Sequence, residues 1–115
     1  PKKIYVPVAH AEGKFLTETP QLLKALKKNG QIAFCYCTPD GKEPAYPENP
    51  NGSVEHIAGI TDRTGRILGM MPHPERHFLT RQHPFWTRLT RAEELGEGAK
   101  VFENGVNYVR ENLLS

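Results

Sequence analysis

Cysteine is scarce in this sequence: only Cys35 and Cys37 occur, with one residue between them. A disulfide between such neighbours would close a small, strained ring, so a disulfide framework is excluded. Reduced thiols in a cytoplasmic protein are the simpler expectation. An excess of one charge is missing too. The 15 Lys and Arg are nearly balanced by 13 Asp and Glu, giving a formal net charge of +2, and the two signs are interspersed. Nucleic-acid binding usually needs a concentrated basic face, and this balance argues against one. Long apolar runs are absent, which argues against a membrane-spanning helix, and no signal-peptide pattern is visible. With 37% hydrophobic residues among 115, there is material for one small domain with a modest core.

The residues that are present show clear periodicities. Residues 3–10 (KIYVPVAH) alternate Ile4, Val6 and Val8 as a strand does, and Pro7 predicts an edge position or an early end. Thr19-Pro20 opens a helix whose apolar stripe is Leu22, Leu23 and Leu26; Lys27 and Lys28 suit its last turn, and Asn29-Gly30 stops it. Residues 31–37 (QIAFCYC) read as a strand. Residues 38–53 are dense in proline and glycine and read as a loop. Two further strands, residues 56–61 (HIAGIT) and 66–71 (RILGMM), flank the hairpin turn Asp62-Arg63-Thr64-Gly65. Gly59 and Gly69 inside them predict close backbone approach. Residues 72–91 read as a long loop, usually a functional feature in a small domain. Residues 98–113 are helical, with Phe102, Val106, Val109 and Leu113 on one face. The sum is an α/β chain with a sheet of at least four strands and two helices. Two helices do not cover both faces of such a sheet, so one face is wet or is covered by residues outside this chain.

The sharpest chemical signal is Met70-Met71-Pro72-His73-Pro74-Glu75-Arg76, where an apolar strand runs into a proline-bounded turn. On an extended backbone, positions i and i+2 point the same way. The Glu75 carboxylate can then hold one ring nitrogen of His73 and leave the other for proton transfer, the base and orienter of a nucleophilic triad. The flanking prolines reduce the entropy cost of that geometry. A surface turn with an incidental ion pair explains the same short spacing. Cys35, Cys37, His73, His77 and His83 are zinc-ligand types, but the H-x3-H spacing is helical in a proline-rich stretch and C-x-C is too close for a zinc knuckle. No metal site is expected. His83-Pro84-Phe85-Trp86 is either a satellite core or an interface anchor.

Six blocks in order carry a family resemblance: residues 6–13 (VPVAHAEG), 29–32 (NGQI), 49–53 (NPNGS), 57–61 (IAGIT), 65–69 (GRILG) and 70–76 (MMPHPER). Together they resemble the glutaminase component of phosphoribosylformylglycinamidine synthase, a class I (triad) glutamine amidotransferase. The resemblance implies a fold: residues 1–115 as the C-terminal half of a flavodoxin-like class I amidotransferase domain, a mixed sheet with a β-hairpin and two main helices. It implies a reaction, in which a cysteine thiolate attacks the glutamine side-chain amide and water then hydrolyses the thioester. The released ammonia converts formylglycinamide ribonucleotide to its amidine in purine biosynthesis. His73 matches the general base and acid, and Glu75 its orienting carboxylate; Arg76 lies beside them with no assigned role. His10 and Glu12 match a segment near the glutamine pocket and are the candidate substrate-binding residues; a solvated loop or a synthetase contact are the alternatives. The implied partners are the N-terminal half of the domain, a synthetase subunit or domain, and glutamine as substrate. Nucleic acid and membrane are not among them. No cofactor is expected in this chain, ATP and magnesium belonging to the synthetase.

The sequence also departs from the family pattern. The family nucleophile sits in a Gly-x-Cys-x-Gly elbow, and no such segment occurs here. Cys35 and Cys37 lie within FCYC in a predicted strand and are expected to be inert, buried or half-buried thiols. Position 35 is often arginine in relatives, and position 11 glycine. The resemblance implies that the elbow lies outside this chain. The 115 residues alone are then expected to be inactive on glutamine and prone to self-association through exposed sheet surface. A triad amidotransferase serving another acceptor, and a non-catalytic module docking a synthetase, are the alternative readings.

Overall fold

In the computed structural model, which describes residues 3–11, 13–89 and 94–114, Thr19 is extended and its hydroxyl accepts the Leu22 N–H at 3.2 Å. That bond satisfies one of the donors a helix start leaves open, and Pro20 has no N–H to satisfy. The helix that follows, α1, spans Pro20–Lys28. Gly30, at φ 65°, reverses the chain after it, with its N–H on the Lys27 carbonyl and that of Gln31 on the Leu26 carbonyl. Leu26 is the buried residue of α1.

The chain divides into two units, one of Ala9–Pro72 and one made of the residues up to Val8 together with those from His73 onward. In the first unit, β1 (Ile32–Cys35), β2 (Ile57–Thr61) and β3 (Leu68–Met70) form an antiparallel sheet in the order β1-β2-β3. The central strand holds the buried core residues Ile57 and Ala58. Gly59 pairs with Phe34 on one side and Met70 on the other. A Cβ at this position would lie 2.9 Å from Met70 Cβ and 3.2 Å from Phe34 Cδ2, so glycine lets its neighbours close over the strand. Gly69 faces open space, so the close approach expected at both glycines exists at Gly59 and not at Gly69.

One carboxylate organises the hairpin turn. Asp62 accepts the Thr64 hydroxyl at 2.6 Å and the N–H groups of Thr64 at 3.1 Å, Arg66 at 3.0 Å and Ile67 at 3.0 Å. The Thr64 hydroxyl foremost, then the Ile67 N–H, hold its pKa down to about 2. Gly65, at φ 71°, supplies the left-handed turn residue.

A second polar knot leads into β2. Asn51 Nδ2 donates to the carbonyls of His10 at 3.3 Å and Gly13 at 2.6 Å. Ser53 Oγ accepts the Phe15 N–H at 3.2 Å, and the Val54 N–H donates to the Phe15 carbonyl at 3.0 Å. These bonds stitch the segment around residues 10–15 to the start of β2. Glu55 and His56 follow at φ 47° and 59°, a left-handed conformation that side chains other than glycine rarely adopt.

In the other unit, 3-10 turns cover Pro74–His77, Thr80–Gln82 and Trp86–Arg88, and α2 spans Ala99–Asn112. Ala99 is buried, and the Phe102 ring lies 5.7 Å from that of Phe78. Beyond that contact the stripe of Phe102, Val106, Val109 and Leu113 is exposed.

The structure corrects the sequence reading in several places. The sheet is antiparallel throughout, not mixed, and has three strands among the described residues instead of at least four. Residues 3–10 are not a strand. Their backbone groups are taken by other segments: the Tyr5 N–H donates to Glu97 Oε2, and the Pro7 carbonyl accepts the His73 N–H. Pro7 itself has no N–H for a ladder. Residues 72–91 are a succession of short turns instead of one loop, with Thr90 and Arg91 outside the described residues. No helix among the described residues is long and apolar enough to cross a membrane.

Candidate active site

His73 precedes a proline, which disfavours the helical region, and it sits at φ −108°, ψ 88°. Its N–H donates to the Pro7 carbonyl at 2.8 Å, and its own carbonyl accepts the Arg76 N–H at 3.1 Å. Pro74 then starts the 3-10 turn Pro74–His77, its missing N–H costing nothing at a first position. Glu75 falls in that turn, and its Oε1 lies 2.7 Å from His73 Nδ1. The two side chains thus meet because a tight turn folds Glu75 back, not because both project from an extended strand.

The electrostatics suit a carboxylate that stays ionised. Glu75 is held below its ordinary pKa, first by the hydrogen bond with His73 and then by its own backbone N–H. An ionised Glu75 accepts, so Nδ1 of His73 carries the hydrogen and Nε2 is the nitrogen left to exchange protons. The His73 side chain is half-buried and that of Glu75 exposed. Exposed pairs of this kind add little to stability, so the value of the contact is in tautomer and orientation.

The other sequence candidates are placed differently. His10 Nε2 lies 2.6 Å from Tyr36 Oη, in the unit of Ala9–Pro72, while His73 and Glu75 belong to the other unit. Tyr36 has a pKa raised by burial, so its hydroxyl stays protonated. Glu12 lies outside the described residues. Cys35 and Cys37 are exposed, not buried or half-buried as expected, because position 35 turns outward on the edge strand β1. Partial desolvation, then the Glu55 carboxylate and Cys37, raise the Cys35 pKa, the opposite of what an attacking thiolate needs. Among the described residues no group of three or more His, Cys, Asp or Glu side chains is arranged to hold a metal ion.

Sequence reasoning missed the residues that support the turn. His77 is buried, with Nδ1 2.6 Å from the Tyr5 carbonyl, and Gly96 and Gly98 lie close against it. The spacing Gly96-x-Gly98 just ahead of a helix was the available signal. Sequence reasoning singled out residues 49–53 as a block of the resemblance but not the bonds by which Asn49, Asn51 and Ser53 organise their segment.

A histidine with one ring nitrogen held by a carboxylate is the arrangement by which a base is oriented in nucleophilic catalysis generally. The family model for the CobB/CobQ-like glutamine amidotransferase domain matches residues 2–109, and the chain belongs to that family. It is 41% identical over 111 residues to the phosphoribosylformylglycinamidine synthase subunit PurQ of Methanothrix thermoacetophila, covering 92% of this chain and 40% of that protein. To the PurQ subunit of Dehalococcoides mccartyi it is 43% identical over 110 residues, covering 95% and 41%. To that of Acaryochloris marina the identity reaches 55% over 73 residues, covering 64% and 30%. The chain spans about two fifths of the length of the first two of these curated relatives.

Proposed function

We propose that this chain forms part of the glutaminase component of a phosphoribosylformylglycinamidine synthase, and that His73 and Glu75 are the base and orienting carboxylate of its triad. One observation carries the reading: in a chain of the amidotransferase family, His73 Nδ1 and Glu75 Oε1 are 2.7 Å apart on a proline-bounded turn. The PurQ names of the relatives support the acceptor.

The chemistry follows from that pair. A cysteine thiol, supplied by the remainder of the amidotransferase domain, gives its proton to Nε2 of His73, and the thiolate attacks the side-chain amide carbon of glutamine. The imidazolium formed is stabilised by Glu75. It returns the proton to the departing nitrogen as the C–N bond breaks, releasing ammonia and leaving a thioester. His73 next takes a proton from water; the hydroxide attacks, the C–S bond breaks as the imidazolium returns the proton to the sulfur, and glutamate leaves. Ammonia passes to a synthetase partner, which holds the ATP and magnesium. The assembly is cytoplasmic, and His10 and Glu12 contribute to binding glutamine.

Replacing His73 tests this. In the intact protein with its synthetase partner, His73→Ala is expected to lower glutamine hydrolysis by about a thousandfold or more. Formation of formylglycinamidine ribonucleotide from added ammonia should persist. Wild-type glutamine turnover in His73→Ala would remove His73 from the mechanism.

A further inference from the structure

Three short segments meet around His77. The ring is 4% exposed, and its Nδ1 lies 2.6 Å from the Tyr5 carbonyl, which only accepts, so Nδ1 carries the hydrogen. The ring stands edge-on to Tyr5, with centroids 5.9 Å apart, and to His83 at 5.3 Å. From the far side in sequence, the Gly98 N–H donates to the His77 carbonyl at 3.1 Å and the Gly96 N–H to the Phe78 carbonyl at 2.7 Å. Neither glycine has room for a side chain. A Cβ at Gly96 would come within 2.3 Å of the His77 carbonyl and 2.6 Å of its ring, and one at Gly98 within 2.1 Å of the Pro74 carbonyl. Glu97 between them accepts the Tyr5 N–H at 2.5 Å, which closes the circuit.

The turn Pro74–His77 is therefore held at both ends: at His73 by the Pro7 carbonyl, and at His77 and Phe78 by Tyr5, Gly96 and Gly98. Glu75 lies between these anchors. A lone 3-10 turn frays, and an exposed ion pair is too weak to impose its own geometry. Besides these anchors, Glu75 itself is met by Gln82, whose Nε2 donates to its carbonyl at 3.4 Å.

We propose that His77 is a positioning residue for the His73–Glu75 pair, aligned by donation to the Tyr5 carbonyl and by the glycine-lined surface of residues 96–98. This rests on the reading of His73 and Glu75 as base and orienter, and it goes beyond that reading by naming what aims them.

The test compares His77→Phe and His77→Leu, which keep bulk but donate no hydrogen bond, with His77→Asn, whose amide restores a donor. In the intact protein, the non-donor variants are expected to lower kcat for glutamine hydrolysis about tenfold to a hundredfold with KM changed little, and Asn to recover most of it. Proton–nitrogen NMR of the His73 ring reads the geometry separately. The Nδ1–H signal of the Glu75-bonded imidazole should broaden or shift in the Phe and Leu variants and return in Asn. An unaltered signal in a folded Phe or Leu variant overturns the proposal. An altered signal with wild-type turnover upholds the positioning and instead overturns the catalytic reading of the pair. Where neither non-donor folds, Asn decides: a native signal and kcat support the donor role, and a displaced signal with the donor present overturns it.

Discussion

Asn49 and His56 are joined by a 2.9 Å contact between Asn49 Nδ2 and His56 Nδ1, at the point where the backbone turns left-handed before β2. The amide orientation is set by its other partners, since Asn49 Oδ1 accepts the Ser53 N–H at 3.1 Å and Nδ2 donates to the Ser53 carbonyl at 3.2 Å. His56 Nδ1 must then accept, and its Nε2–H points to Glu43 Oε1 at 3.2 Å. Two left-handed residues in succession are costly and persist when their surroundings over-determine them. Asn49 is buried, so Asn49→Ala leaves the Ser53 groups and His56 without this partner. The expected loss is about 1–3 kcal/mol in denaturant titration. An unchanged midpoint would show that the knot contributes nothing to folding.

Asp62 predicts an acid dependence with a definite sign. Its folded-state pKa is about 2 against an ordinary 3.8, so the group binds its proton more weakly when folded. Stabilisation from the turn is then complete above about pH 4 and is lost as pH falls toward about 2. Asp62→Asn should be less stable than wild type by a constant margin near neutrality, and the margin should narrow through that window. Glu75, also lowered, has the same sign. A margin that stays constant down to about pH 2 would contradict the assignment.

Glycines separate by their surroundings. Gly59→Ala forces a methyl group against Met70 Cβ at 2.9 Å and the Gly69 carbonyl at 3.1 Å, neither of which is the far end of a flexible chain. A cost of about 1–3 kcal/mol is expected. Gly105 sits in α2, where an added methyl group would meet nothing within 4 Å, so Gly105→Ala should stabilise by roughly 0.5–1 kcal/mol. Thermal melts of the two variants should move in opposite directions; a common direction would refute the contrast.

Much of this was legible from local chemistry. Thr19-Pro20 and Asn29-Gly30 mark the ends of α1, and Asp62 and Gly65 mark the hairpin, because caps and turns are decided within a few residues. The nearness of His73 and Glu75 was legible for the same reason, although the turn that creates it was not. Residues 3–10 misled because alternation reports which faces differ, not whether a partner strand exists. The Tyr5 bonds to His77 and Glu97 span 72 and 92 residues, and no local pattern announces contacts at that distance. The direction of β1 against β2 was equally hidden, since it belongs to the pairing, whereas the hairpin turn already made β2 and β3 antiparallel.

The supports of the His73 turn are drawn from Tyr5 and Pro7 on one side and from residues 96–98 on the other. A ribosome delivers the first long before the second. A polypeptide made from its N-terminus therefore carries the imidazole and the carboxylate before the glycines that pack against their turn exist.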